Sequence, residues 1–405
     1  MKSNSLKNVC RACSSSALEF IHDFGVLPVA DKLMLSLEDK IPSFPLSISV
    51  CTNCFLLQIN EDVDPEVLFR NNYPYYSSQI PEVKRHFNAL YQEVKGAFQL
   101  DKEDVIVEIA GNDGVLLNCF KGEVKTLINI EPSLGPAEVS ENLGLETIKS
   151  FFSFDIAKSL KPKLNASPRL IFAANVFAHV PNPMDFVKGL NHIAGDSTTI
   201  IIEVPHVMPM LENTLFDVIF HQHFSYFSLF ALKKLFESNE LFINDVKQIS
   251  TQGGSLRLFI SKNKARTLTS VQGLLEEELT YGIKALSTFH NFSKRIVGLK
   301  ETTLSTLKKL KQENKKIVGY GAPGKAATLL NYYQIDKAYL EYIVDLSPSK
   351  QGFIFPFTGM KIYPVEKLLE DKPEVVLILV WNYKTSIIAY LKDRLPKDTV
   401  YLSIL

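Results

Sequence analysis

Two groups of residues in this chain are spaced for chemistry. Cys10 and Cys13 form CRAC, Cys51 and Cys54 form CTNC, and residues 14–50 lie between the pairs. Two such knuckles supply four thiolates, the donor set of a tetrahedral structural zinc site, and a closed four-sulfur shell leaves no position open for catalysis. The separation exceeds that of a small zinc ribbon, so a small folded unit clipped at its base is expected there, with thiols carrying no metal as the plainer alternative. Cys119, alone after an apolar run, reads as packing. The second group is FDVIFHQHFSYFS, residues 216–228, where His221 and His223 flank Gln222 among apolar and aromatic side chains. Imidazole changes charge near neutral pH, so this pair is a candidate for moving a proton.

A third cluster, LFRNNYPYYSS at 68–78, gathers Tyr73, Tyr75 and Tyr76 in a segment that Pro74 and the following serines keep out of a central strand. It reads either as an aromatic loop packing two domains together or as phenols lining a polar pocket.

The elements that must position these residues follow from composition and pattern. A chain of 405 residues suggests two or three domains, and 46% hydrophobic with 22% charged residues is ordinary globular composition. With 44 basic and 44 acidic residues the formal charge is zero, which points away from nucleic acid and toward a small-molecule substrate. MKSNSLKNVC lacks the apolar region of a signal peptide, and VVLILVW (375–381) is too short to span a bilayer, so a cytoplasmic protein without a membrane partner is expected.

The middle of the chain alternates apolar strands with helical segments, the pattern of a parallel α/β sheet. DVIVEI (104–109) runs into AGNDG, LINIEPS (127–133) carries Glu131, and further strands are expected at LIFAANVFAHV (170–180) and TTIIIEVP (198–205). The turn reads E-x-x-G-x-x-G: Glu108, Gly111 and Gly114, with Asn112 and Asp113 inside it. Gly111 and Gly114 let backbone approach a ligand, and Glu131, one βα unit on, is placed for ribose hydroxyls. The acidic and amide side chains would repel phosphate, so S-adenosylmethionine fits this turn better than NAD. Asn175, His179 and Glu203 fall near the expected crevice at the carboxyl ends of the strands.

TQGGSLR (251–257) reads either as a site segment with Arg257 as its cation or as a β-turn with an exposed arginine. Apolar residues from Val271 to Leu299 recur at three- and four-residue spacing and predict one long amphipathic linking helix. KIVGYGAPGKAATLLNYY (316–333) then gives strand, glycine turn and helix, with Gly319, Gly321 and Gly324 as G-x-G-x-x-G and Lys325 at the helix start, a site for a diphosphate. Alone it is equally an NAD motif. Asp345, after a second strand, takes the ribose position.

Taken in order, CRAC with CTNCFLLQ, YPYYSS, VEIAGNDGVLL, NIEPS, ANVFAHVPNPMDF, IIEVPH, FDVIFHQHFSYFSL, TQGGSLR, GYGAPGKAATLLN, VDLSPSKQG and LILVWNY resemble the sugar C-methyltransferases of deoxysugar biosynthesis over essentially the whole chain. Those enzymes methylate C3 of 4-keto sugars carried on a nucleoside diphosphate. The resemblance implies an α/β protein of three folded units: a zinc-binding N-terminal domain (1–70), a class I, Rossmann-like methyltransferase domain (71–265) and, after a linking helix (266–314), a Rossmann-like C-terminal domain (315–405) that binds the nucleotide sugar. Monomer and homodimer are both compatible with it.

Carbon methylation next to a ketone needs an enolate, hence a base. His223 matches the family's proposed base, and Tyr75 with His179 would donate hydrogen bonds to the enolate oxygen. Tyr73, Tyr76, Phe220, His221, Gln222, Gly321 and Lys325 would line the substrate. The family reads Tyr-His-Glu-His where this chain has Phe220, His221, Gln222 and His223. The change removes a hydroxyl and a carboxylate, and implies a slower enzyme, another acceptor or a changed reaction, including an oxidoreductase or other nucleotide-using enzyme. In an extended segment His221 and His223 would share a face, with Gln222 pointing away.

Overall fold

The computed structural model describes residues 7–70 and 75–405. Strands β1 (Leu18–Pro28), β2 (Ser43–Cys51) and β3 (Leu57–Ile59) form an antiparallel meander. Strand β2 lies between the other two, and its last six residues are all buried. Cys51 closes β2 and Cys54 sits in the turn to β3, so the second knuckle is a hairpin bend.

The next strands, β4 (Val105–Ile109), β5 (Thr126–Ile130), β6 (Glu146–Ile148), β7 (Leu170–Ala174) and β8 (Thr199–Pro205), are parallel. Their apolar runs suit a sheet covered by helices on both faces. Two residues after the histidine pair, β9 (Ser225–Tyr226) leaves this unit and pairs with β3, completing the N-terminal sheet in the order β1-β2-β3-β9. Strands β10 (Phe242–Ile249) and β11 (Ser255–Ser261) add an antiparallel edge, and the large sheet reads β10-β11-β8-β7-β4-β5-β6. Strand order reverses between β4 and β7, so the turns after these two strands open onto one crevice. Strand β7 stops at Ala174, short of the expected 180, because Asn175 adopts φ 58°; His179 therefore sits in a short turn, Phe177–His179.

The linking segment is two helices where the periodicity suggested one. Thr269–Tyr281 ends at Gly282, φ 94°, and Leu286–Gln312 follows. Ile283 stays buried within the break, so the apolar spacing runs on while the backbone turns; the left-handed residue is the glycine, which bears no Cβ. Strands β12 (Ile317–Tyr320), β13 (Ile343–Val344), β14 (Ile362–Tyr363), β15 (Val375–Ile378) and β16 (Val400–Ser403) then form a second parallel sheet, ordered β14-β13-β12-β15-β16. One apolar core runs through Leu46 of β2, Phe216, Phe292 of the long linking helix and Tyr333, which ends the helix after β12. No helix among the described residues is long and apolar enough to cross a membrane.

Candidate active site

The four N-terminal sulfurs lie within 4.8 Å of one another, with Cys10 and Cys54 3.4 Å apart and Cys13 and Cys51 3.6 Å apart. Zinc–sulfur bonds of about 2.3 Å in a tetrahedron put sulfurs about 3.8 Å apart, so the set fits zinc and is far from disulfide contact. Arg11, between the first two cysteines, is buried. Its guanidinium donates to Asp62 and to the carbonyls of Glu61 and Pro181, which ties the knuckle to the chain just beyond His179.

At the end of β4 the glycine turn folds back on its own strand pair. A Cβ on Gly111 would meet Asn129 Oδ1 at 2.6 Å and the Glu108 carboxyl carbon at 2.7 Å. The Gly111 N–H donates to Asn129 Oδ1, and the Asn112 N–H donates to Glu131 Oε2 at 2.9 Å. The other Glu131 oxygen accepts the Ser133 N–H at 2.7 Å. Contrary to the expectation that Asn112 and Asp113 would present their side chains to a ligand, both are given to the tyrosine segment. Asn112 accepts from the Ser77 N–H and donates to the Tyr75 carbonyl, while Asp113 accepts from the Ser78 N–H. Tyr75 is thereby held beside the turn, and burial pushes its phenol up to about 12. Tyr76 places its hydroxyl against Gly135, on the helix after β5; Tyr73 lies outside the described residues.

The crevice at this turn is acidic. Burial, with Glu131 and Asp113 nearby, pushes Glu108 up to about 8, and its Oε2 has no hydrogen-bond partner among the described residues. Burial raises Glu131 as well. Asn175 Oδ1 is likewise buried and unpaired. These acceptors fit a ligand that brings positive charge and hydroxyl donors, which S-adenosylmethionine does and a dinucleotide pyrophosphate does not. Glu203 serves a different purpose from a crevice ligand. Fully buried, it accepts from Arg257 Nε at 2.6 Å and contacts His86 Nε2 at 2.6 Å, clamping helix Pro81–Ala97 to β8 and β11. Arg257 is therefore a buried ion-pair partner, not an exposed turn residue.

The histidine pair does not lie in an extended segment. The His223 N–H bonds to the Phe220 carbonyl at 2.9 Å, a tight turn that sends three side chains in three directions. His221 Nε2 reaches the Phe44 and Pro45 carbonyls, and Gln222 Nε2 donates to the Ala30 carbonyl, so both are buried against the N-terminal unit. This corrects the shared-face expectation. What His223 meets instead is His179, ring centroids 4.7 Å apart, with Phe220 4.1 Å away on the other side. His223 Nδ1 lies 2.7 Å from the Val218 carbonyl and His179 Nδ1 2.8 Å from the Gln222 carbonyl. A carbonyl only accepts, so each ring carries its proton on Nδ1 and leaves Nε2 as a bare lone pair. Burial pushes His223 down to about 3, helped by His179, and lowers His179 too; both rings are neutral near pH 7.

In the C-terminal unit, the second glycine turn repeats the first. The Asp345 carboxylate accepts the Ala322 N–H at 2.6 Å and the Ser347 N–H at 2.8 Å. Gly321 has φ 92°, and a Cβ there would meet Val380 at 2.6 Å. Lys325 lies 3.9 Å above the Trp381 ring, donates to Asn382 and stands 3.8 Å from Asp217, a fully buried carboxylate. Trp381 Nε1 donates to the same Asp217 at 2.7 Å, and the turn at Gly253 packs on Trp381. Nothing local in the sequence singles out Asp217, Trp381 or His86; their partners are distant along the chain.

Residues 10–69 match the family model described as "Putative zinc binding domain", 83–243 match "Methyltransferase domain" and 250–403 match "C-methyltransferase C-terminal domain". The C-methyltransferase NovU of Streptomyces niveus is 29% identical over 95% of this chain and 92% of its own. Among solved structures, magnesium protoporphyrin IX methyltransferase from Synechocystis PCC 6803 with bound SAM is 10% identical, TM-score 0.34, over 44% of this chain and 79% of that one. A possible histamine N-methyltransferase from Thermotoga maritima is 17% identical, TM-score 0.35, over 44% and 91%. The family models and the C-methyltransferase relative make the middle of the chain a methyltransferase domain using S-adenosylmethionine. With a zinc-binding domain before it and the C-methyltransferase C-terminal domain after it, the protein is a C-methyltransferase.

Proposed function

We propose that the chain methylates C3 of a nucleoside-diphosphate-linked 4-keto sugar through an enolate formed by His223. The observation that carries this reading is the fixed proton on His223 Nδ1, which leaves Nε2 unprotonated beside the second neutral imidazole of His179. Burial makes imidazolium unfavourable in the free site, but an enolate anion formed in contact with it offsets that penalty, so the proton moves as the charge pair forms. Tyr75, with a phenol that stays protonated, donates to the developing oxygen; His179, whose one N–H is spent on the Gln222 carbonyl, cannot be the second donor that the resemblance implies. S-adenosylmethionine supplies an electrophilic methyl group; Glu131 holds its ribose hydroxyls, and Glu108 and Asp113 give its positive charge an acidic surround. Gly321, Lys325 and the start of helix Ala326–Tyr333 receive the diphosphate. Phe220 leaves the ring of His223 covered by an apolar face where the related enzymes bring a hydroxyl, so fewer donors meet the ketone. We assign the zinc-binding, methyltransferase, linking and nucleotide-binding roles to 1–70, 71–265, 266–314 and 315–405.

The test is exchange of the sugar's protons with deuterated solvent, without S-adenosylmethionine, for dTDP- and GDP-linked 4-keto-6-deoxy sugars. A 4-ketone acidifies both C3 and C5, and the reading requires label at C3. His223→Ala should lower exchange by about 10² to 10⁴, the usual worth of a general base, and His221→Ala far less. Undiminished exchange without His223 would remove the proposal.

A further inference from the structure

The carbonyl that fixes the proton on His223 belongs to Val218, in the short turn Phe216–Val218. The turn's own bond, Ile219 N–H to the Phe216 carbonyl at 3.0 Å, and the Tyr226 hydroxyl 3.5 Å from the Val218 carbonyl hold it locally; the side-chain hydrogen bonds to the residues on either side come from the C-terminal unit. Trp381 Nε1 donates to Asp217 Oδ2 at 2.7 Å on one side, and Thr328 Oγ1 donates to the Ile219 carbonyl at 2.6 Å on the other. Tyr333 stacks on Phe216, ring centroids 5.2 Å apart. Asp217 is fully buried and Thr328 nearly so, and no solvent competes for these bonds. Lys325, given above to the diphosphate, touches both Asp217 and Trp381.

We propose that Trp381 and Thr328 are positioning residues for the base: by gripping Asp217 and Ile219 they orient the Val218 carbonyl, which keeps the His223 proton on Nδ1 and its Nε2 bare. The role of His223 as base rests on the function proposed above; the placement of its proton does not. Without the two grips a single backbone bond, Ile219 N–H to the Phe216 carbonyl, is left to set the turn, so the peptide planes beside Val218 can tilt, the carbonyl drifts from Nδ1, and the ring is free to carry its proton on Nε2, where it cannot accept another. The nucleotide-binding unit then does more than hold one end of the substrate. It keeps the base in its working tautomer.

The test uses full-length protein with ¹⁵N-labelled histidine, the His223 signal being identified by its loss in His223→Gln. Wild type should show one His223 tautomer, protonated at Nδ1. Thr328→Val with Trp381→Phe, which keep shape and remove both donors, should show a mixture of tautomers. Exchange on dTDP-4-keto-6-deoxyglucose should fall about 10- to 100-fold, the scale of a small misplacement of a reacting group. S-adenosylmethionine affinity should stay within about twofold, because its turn lies on another strand, and Thr328→Ser should restore the single tautomer. A double variant that keeps the Nδ1 proton overturns the inference, whether or not that sugar is a substrate. If the double variant does not fold, Trp381→Phe alone decides by the same signal. Full exchange in His223→Ala alongside a shifted tautomer would remove the base reading and leave the positioning inference standing.

Discussion

The two glycine turns of this molecule are built alike and surrounded differently: carboxyl groups gather at the first, and lysines join the carboxylates at the second. In each, the first strand runs into a turn, the second ends in a carboxylate, and that carboxylate accepts one N–H from the turn and one from two residues beyond itself: Glu131 with Asn112 and Ser133, Asp345 with Ala322 and Ser347. The difference is what surrounds them. Glu108 and Asp113 stand beside the first, Lys325 and Lys350 beside the second, where Lys350 donates to the Ala322 carbonyl. The shared frame closes a strand–turn–helix; the ligand's sign of charge is set by the side chains added to it.

The most severe way to test that the two sites are separate is to remove what supports both. Cys51→Ser should give insoluble protein with neither site intact, since the binding energy of a structural metal is folding energy, and solubility with elemental analysis checks this. Next, Gly111→Ala puts a methyl within 2.6 Å of Asn129 Oδ1 and should lose about 1–3 kcal/mol of stability together with most S-adenosylmethionine binding, leaving nucleotide binding in place. Calorimetry on a mirror pair sharpens the contrast. Glu131→Ala should weaken S-adenosylmethionine by roughly 1–3 kcal/mol without affecting dTDP, and Lys325→Ala should weaken dTDP by about the same without affecting S-adenosylmethionine. Equal losses at both ligands in either variant would break the comparison.

The smallest effect is a pair of opposed pH trends. Glu108 in the free site sits near 8, and a bound cation favours its ionised form, so S-adenosylmethionine affinity should fall as pH drops below about 8. Burial pushes Asp217 up to about 6, and its negative charge opposes a diphosphate at Lys325, so dTDP affinity should fall as pH rises through about 6. Glu108 also predicts a stability trend. The folded carboxyl keeps its proton up to about 8 while the unfolded one releases it near 4.5, so the unfolded state binds fewer protons in between and stability falls as pH rises across that window. Glu108→Gln should flatten the slope in denaturant titrations.

What could be read from the chain beforehand was whatever is local. Paired CxxC knuckles, both glycine turns and the acidic residues one βα unit on are short patterns with a mechanical reason for their spacing. The histidine geometry was not legible, because Phe220 to His223 carries no glycine, proline or asparagine to announce a turn, so an extended segment was the natural expectation. Its correction also changes the meaning of Gln222. The amide donates to the Ala30 carbonyl, so Gln222→Glu would set a carboxylate against an acceptor and should destabilise the turn before it helps any histidine. Asp217, Trp381 and Thr328 escaped notice for another reason: their roles exist only once a helix and a strand end from the last unit meet residues 216–219. The periodicity predicts one linking helix because Ile283 keeps the apolar rhythm through a break that Gly282 makes.

Strand β9 has a consequence for how the chain is made. It is the last strand of the zinc-bearing sheet, yet it follows the first three only after most of the methyltransferase unit has been synthesised. At the usual pace of a ribosome, β3 waits on the order of ten seconds for its neighbour, with one row of backbone N–H and C=O groups unpaired. A nascent chain in that interval presents an open edge, and the segment that closes it carries the proposed base. Completion of the first sheet therefore awaits the segment that bears the proposed base, and a chain truncated before residue 225 should aggregate instead of giving a free-standing zinc module.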